Sequence, residues 1–232
     1  MCIIRFLSSI SDVRESNIAT KSTTPAYRRL SEDERQDLLI DATIAVLSES
    51  GLSGATVRKI AAAAGVTPGL VTHHFAGKDA LISAAYRRLA EQFHTDYVAA
   101  SEAAGNDPVE RLQAFVGSAF QPQTLNRNLL RVWTSFWDSA LTAPDSEPAK
   151  VHYETAQRTR AYVEQLLRDA LLSRGHELNE LEIRQRAIAI GSLVDGMWLT
   201  WGLDPSLFDA ATGRRIAFDM LAAYLAIPTL VD

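Results

Sequence analysis

Apolar residues recur along this chain at the spacing of helices, and no segment sustains the two-residue alternation of a half-buried strand. From Ser31 onward the pattern is helical. Leu38, Leu39, Ala42, Val46 and Leu47 mark a first apolar stripe, which Gly51 closes. Ser31 and Glu34 have the spacing of a capping box, in which hydroxyl and carboxylate satisfy helix-start amides reciprocally. A short second helix is predicted over Thr56–Ala64, stopping at Gly65, and a third from Thr67 to about Phe75. A fourth starts near Lys78 and reaches about Ala104, ahead of Gly105-Asn106-Asp107-Pro108. Five more are predicted: Val109–Phe120, Leu125–Leu141, Pro148–Ser173, Asn179–Trp201 and Ser206–Ala226. Gln121-Pro122, Ala143-Pro144, Arg174-Gly175 and Gly202-Leu203-Asp204-Pro205 punctuate them. The expected class is all-α, with about nine helices.

Residues 1–30 differ from the rest. Their apolar stretch, Cys2–Leu7, is interrupted by Arg5 and is too short for a signal peptide. They read as a flexible tail, or as the product of an upstream start codon. Arg28 and Arg29 at its end suit either a solvated tail or a phosphate contact. Beyond the tail, the pattern divides into a small helical domain at 31–77 and a larger one at 78–232.

Composition narrows the function classes. The chain has 232 residues, 47% hydrophobic and 22% charged, enough apolar material for a core. No uncharged apolar run is long enough to span a membrane. The lone Cys2 excludes a disulfide framework and a thiolate metal site, and suits the cytoplasm. The net charge of −5 is uneven. Residues 1–90 hold 11 Lys and Arg against 9 Asp and Glu, whereas residues 91–232 hold 12 against 19. An acidic protein still binds a polyanion where its basic residues are gathered.

The chemistry concentrates in Thr56-Val-Arg-Lys-Ile-Ala-Ala-Ala-Ala-Gly-Val-Thr-Pro-Gly-Leu-Val-Thr-His-His-Phe75. Thr56 is placed to cap a helix whose Ile60, Ala61 and Ala64 form a small apolar face. Gly65 supplies a left-handed residue, and Val66 plugs the corner. Thr67 is expected to cap the next helix, with Pro68 at its first position, where the missing N–H does no harm. This is the anatomy of a helix-turn-helix, whose second helix fits the DNA major groove. Arg58 and Lys59 lie in the first turn of their helix and Lys78 opens the fourth. Cations there oppose the helix dipole by about 0.3–1 kcal/mol each, and a facing phosphate would reverse that sign. Adjacent His73 and His74 point about 100° apart on a helix and cannot close on one metal ion. Contact with DNA suits His73, and packing suits His74. Gly69 costs about 1 kcal/mol relative to Ala in a helix, which fits a close backbone approach to DNA.

Thr56-Val-Arg-Lys-Ile-Ala…Gly-Val…Gly…His-Phe…Lys-Asp-Ala-Leu resembles the DNA-binding domain of the TetR family of bacterial repressors, over about residues 35–85. The resemblance implies three DNA-binding helices and about six more that bind a ligand and dimerise. It places Thr67, Pro68, Gly69, Thr72 and His73 at base edges or phosphates, and Thr56, Arg58 and Lys78 on phosphates.

All four tryptophans lie after residue 91. Trp133 and Trp137 share a helix face, with Phe136 and Asp138 beside them and Tyr153 and Glu154 on the next helix. Asp195, Trp198 and Trp201 share a later helix. Rings with a carboxylate suit a cationic ligand, through cation–π attraction and charge balance. A large aromatic core accounts for the same residues equally simply. Leu130–Ala140 and Leu193–Leu199 resemble the effector domain of the BetI-like branch, the choline-responsive repressors. That likeness implies a quaternary ammonium or other amine as effector, with Trp133, Phe136, Trp137, Tyr153, Asp195 and Trp198 as candidate ligand residues.

The last two helices carry Ile183, Ile190, Val194, Ile216, Met220, Leu221 and Tyr224, with small Ala187, Gly191 and Ala217 between. They suit an isologous homodimer interface, or packing within one chain. The expected protein is a ligand-responsive repressor that reads a palindromic operator, with no cofactor, no metal and no membrane partner. Two alternatives stay open: control by an unrelated apolar or anionic effector, and an all-α enzyme acting on a small amine. Against the enzyme, the chain lacks a Gly-rich phosphate loop, a His-Glu-x-x-His and a nucleophile elbow.

Overall fold

A computed structural model of the chain describes residues 31–226. The expected N-terminal tail, with Arg28 and Arg29, lies outside the described residues. Nine α-helices follow in order: α1 Glu32–Gly54, α2 Val57–Ala63, α3 Pro68–His74, α4 Lys78–Ala103, α5 Pro108–Gly117, α6 Arg127–Thr142, α7 Glu147–Ser173, α8 Glu180–Leu203 and α9 Ala210–Ala226. One 3-10 turn, Ser118–Phe120, follows α5. There is no strand among the described residues, and the all-α expectation holds.

The helix starts follow from local chemistry. Ser31 Oγ accepts the Glu34 amide at 3.1 Å while the Glu34 carboxylate accepts the Ser31 amide at 2.7 Å, completing the capping box. Asn179 and Glu182 repeat it at α8. Asp107 caps α5 by accepting the Val109 and Glu110 amides. Three boundaries differ from the pattern by three residues or more. Gly51 breaks α1 at φ 64°, as a turn glycine should, yet helical structure resumes and carries α1 to Gly54. The α-helix over Val109–Phe120 stops at Gly117 and tightens into a 3-10 turn: Pro122 has no amide for the Ser118 carbonyl, and the Thr124 hydroxyl donates within reach of the Ser118 and Ala119 carbonyls, at 3.2 and 2.9 Å. The last helix starts at Ala210 rather than Ser206. The Asp204 carboxylate holds Ser206 in a turn through its amide and hydroxyl, and Asp209 then accepts the Thr212 amide at 2.7 Å.

The chain forms two compact units. The first contains the described residues up to Gln92 together with Arg131–Tyr153; the second contains Phe93–Leu130 and the described residues from Glu154 onward. In the first, Tyr86 stacks on Phe136 with ring centres 4.0 Å apart, takes the edge of Trp133 at 5.4 Å and hydrogen-bonds His152 Nδ1 at 2.6 Å. Tyr86, Phe136, Leu39 and Leu47 are all buried, and each such side chain is worth about 1.5–3 kcal/mol. Arg88 of α4 ties back to Asp37 and Asp41 of α1. In the second unit, Leu112, Leu167, Ile183, Ala217 and Leu221 are buried. The Trp198 indole N–H donates to the Ala119 carbonyl at 2.8 Å.

Candidate nucleic-acid interface and effector site

The helix-turn-helix is built as its residues require. The Thr56 hydroxyl accepts the Lys59 amide at 3.2 Å and starts α2. Ile60, Ala61 and Ala64 are buried, which seats the helix. At its end Val66 N–H bonds the Ala61 carbonyl and Gly65 N–H the Ala62 carbonyl, with Gly65 at φ 67°. Those two bonds are the Schellman arrangement, and it demands the glycine. One expectation fails here. Thr67 occupies the N-cap position of α3, but its side chain makes no capping bond. The Leu70 amide, one of the two a cap would take, bonds the Thr67 carbonyl at 3.0 Å instead, and Thr67 is exposed.

The outer face of this element is polar and open. Thr56, Arg58, Lys59, Thr67, Pro68, Gly69, Thr72 and His73 are all exposed, while Val71 on the opposite side of α3 is fully buried. Thr72 donates to the Gly69 carbonyl at 3.0 Å and keeps its lone pairs outward. A Cβ added at Gly69 would meet nothing within 4 Å. No neighbouring atom among the described residues therefore excludes a side chain at Gly69. His74 turns inward, with both ring nitrogens buried and without a hydrogen-bond partner among the described residues. Lys78 is only half exposed, and its ammonium donates to the Leu52 carbonyl at 3.1 Å. That bond uses one of its three donors. No cluster of three or more His, Cys, Asp or Glu that could hold a metal exists among the described residues.

The six expected ligand residues fall into two groups. Trp133, Phe136, Trp137 and Tyr153 belong to the first unit, Asp195 and Trp198 to the second. Phe136 is wholly buried against Tyr86, a closed core contact, and Tyr153 is 49% exposed. In the second unit Trp198 meets Phe93 at 5.9 Å, and a chain of rings continues through Tyr97, Phe115, Tyr162 and His94 at 5.4–5.8 Å. The Tyr162 hydroxyl and His94 Nδ1 are buried and have no hydrogen-bond partner among the described residues. Burial also holds the His94 imidazole below its ordinary pKa, helped by the Arg158 charge. The carboxyl of Asp195 is crowded enough to be pushed up to about 6 by loss of solvation, although the residue as a whole keeps open surface. Its charge and that of Asp96 add to burial in raising Tyr97 far above a normal phenol. Sequence reasoning missed Phe93, His94, Tyr97, Phe115 and Tyr162. The signal on α4 was present, since Tyr86, Phe93 and Tyr97 follow helical spacing, but nothing local joins them to residues 115 and 162.

The residues expected at a subunit interface also divide. Ile183, Ala187, Ile190, Ala217 and Leu221 are buried within the chain, because they lie on the inner faces of α8 and α9. Of the expected set Ile216 and Met220 on α9 face outward, and Leu181, Ile188, Leu199 and Leu203 on α8, which were not expected, are outward apolar residues too.

Comparison with known proteins agrees with this anatomy. Residues 39–85 match the bacterial regulatory proteins of the tetR family, and residues 108–226 match the C-terminal domain of BetI-type transcriptional repressors. The HTH-type transcriptional regulator BetI of Stenotrophomonas maltophilia (strain R551-3) is 32% identical over 191 residues, covering 81% of this chain and 91% of that protein. The crystal structure of a putative transcriptional regulator from Pseudomonas aeruginosa PAO1 superposes with a TM-score of 0.77 at 34% identity, covering 85% of this chain and 93% of that one. A regulator from Saccharomonospora viridis, solved in complex with choline, shares the fold with a TM-score of 0.70 at 17% identity, covering 82% of this chain and 96% of that one. These relatives are regulators of transcription and not enzymes. The chain belongs to the tetR family of bacterial regulatory proteins and is a BetI-type transcriptional repressor.

Proposed function

We propose that this repressor acts as a homodimer on a palindromic operator and that a small organic cation controls it. The outward face of α3 carries the reading: polar, open, backed by buried Val71, with a glycine that no internal packing requires. On this reading Thr67, Pro68, Gly69, Thr72 and His73 meet base edges or phosphates. Thr56, Arg58 and Lys78 hold phosphates, Lys78 with the two donors it has left. The unpaired apolar stripe of α8 and α9 supports the pairing of two chains, because a single chain leaves Leu181, Ile188, Leu199, Leu203, Ile216 and Met220 in water. A two-fold pair would present its reading helices to half-sites ~34–36 Å apart, or a near multiple of that.

For the effector, the second unit supplies ring faces, two buried polar atoms without protein partners and one carboxylate. A compact cation such as choline complements all three: its ammonium the rings and Asp195, its hydroxyl Tyr162 or His94. The choline-bound regulator of the same fold is consistent with that class of ligand. The cation loosens DNA binding only to the extent that it favours the conformation that fits the operator less well. The test is thermal melting of the full chain against choline, tetramethylammonium, acyl chains and small anions. Choline at a hundredfold excess over its dissociation constant should stabilise by about 2.7 kcal/mol. Its affinity should rise as pH climbs through about 6, where the Asp195 carboxyl ionises. A response to acyl chains or anions alone rejects the cation.

A further inference from the structure

The joint that feeds the reading helices is clamped from two sides. α1 breaks at Gly51, and the carbonyls of a helix end are short of amide donors and carry the negative pole of its dipole. Before the break, Arg131 of α6 reaches across with Nη1 and donates to the Ser48 and Glu49 carbonyls, at 3.0 and 2.9 Å. After the break, Lys78 at the start of α4 donates to the Leu52 carbonyl. α6 also lies against the break itself: a Cβ built on Gly51 would stand 4.0 Å from Ser135 Oγ, one turn after Arg131. From Gly54 the chain runs directly into Thr56, the cap of α2, and so into the turn and α3. The same stretch of α6 presents Trp133 and Phe136 to Tyr86 of α4. Arg131 therefore couples a buried aromatic contact to the base of the DNA-reading element, although it sits 64 positions after Thr67 in the chain.

We infer that Arg131 is a positioning residue for operator recognition: its guanidinium fixes the angle at which α1 hands the chain to α2 and α3, without itself touching DNA. A phosphate-contacting arginine and a positioning arginine leave different marks. The first carries a share of the salt dependence of binding, and the second does not. A positioning residue governs instead how sharply the protein distinguishes the correct half-site spacing from a wrong one. The inference rests on α3 being the helix that reads DNA.

The experiment measures binding of the full chain by fluorescence anisotropy over a salt series. The duplexes are an operator selected by the wild-type protein from random DNA, and the same operator with one base pair inserted at its centre. Arg131→Ala and Arg131→Lys are compared with Arg58→Ala as the phosphate-contact control. Arg131→Ala is expected to lose about tenfold in affinity for the selected operator, the equivalent of about 1.4 kcal/mol. It should keep the wild-type salt slope and lose most of the preference for the unmodified spacing. Arg131→Lys, which keeps a cation able to reach one carbonyl, should recover part of both. Arg58→Ala should flatten the salt slope by about one unit and keep the spacing preference. Arg131→Ala binding with unchanged affinity and spacing preference overturns the inference, as does a slope that falls like that of Arg58→Ala. Should Arg131→Ala fail to fold, Arg131→Lys decides: full wild-type spacing preference overturns the inference, and a partial loss at unchanged slope supports it. Failure of the wild-type protein to select any operator is a different result, and overturns the reading role of α3 together with this inference.

Discussion

Between Thr56 and His74 the hydrogen bonds that shape the element join residues a few positions apart, and most of its polar side chains face solvent. In the second unit, rings from α4, α5, α7 and α8 meet although Phe93 and Trp198 stand more than a hundred positions apart, and polar atoms there are turned inward. The first region is a short local structure whose outside is meant for another molecule. The second exists only once the helices have packed. Substitutions should therefore separate them: stability should respond strongly in the second and function should respond without stability in the first.

The largest effect is expected at Trp198. Trp198→Ala empties a buried site and leaves the Ala119 carbonyl only the Thr124 hydroxyl of its two side-chain donors, so chemical denaturation should show a loss of about 3–5 kcal/mol. A loss below about 1 kcal/mol would mean that the second unit is loosely packed, and the contrast with the reading head would fail. Next is Gly65→Ala, which forces a side chain into the left-handed conformation of the turn. It should cost about 1–2 kcal/mol in denaturant melts, even though a Cβ there meets no neighbouring atom.

Asp195→Asn sharpens the comparison by its pH dependence. The wild-type carboxyl titrates near 6 in the folded chain and near 3.8 when unfolded. The folded state thus holds its proton more tightly, and the associated stability is lost as pH rises from about 4 through 6. Asp195→Asn should melt higher than wild type at pH 8, by an amount on the order of 1 kcal/mol after allowance for solvent screening. The gap should close toward pH 4, and a gap that widened on acidification would contradict the burial assigned to this carboxyl. The smallest effect on stability belongs to the reading face: Thr67→Ala and His73→Ala should each leave it within about 0.5 kcal/mol.

These expectations track what was legible in the chain. The capping box at Ser31, the Thr56 cap, the Gly65 turn and the Asn179 start of α8 are each set by residues within one helical turn, and their pattern shows in the sequence. Thr67 shows where local rules stop. Its type and position are those of a cap, yet the Leu70 amide goes to the Thr67 carbonyl and the side chain makes no capping bond. The residues proposed for the effector were half legible. Asp195 and Trp198 stood out by type, and Phe136 turned out to be core because Tyr86, fifty positions earlier, stacks on it. The roles proposed for Tyr162, His94 and Arg131 depend on packing between helices far apart in sequence. No periodicity along one helix encodes such meetings.

The central claim is that the exposed face of α3 reads DNA sequence. It is tested most directly by anisotropy titration of wild type and Thr67→Ala against DNA from upstream of the protein's own gene and against an unrelated duplex, at salt between about 50 and 200 mM. The account predicts that wild type prefers its own DNA, with log affinity falling linearly against log salt, and that Thr67→Ala keeps the salt dependence while losing most of the preference. Equal preference in the two proteins would contradict it.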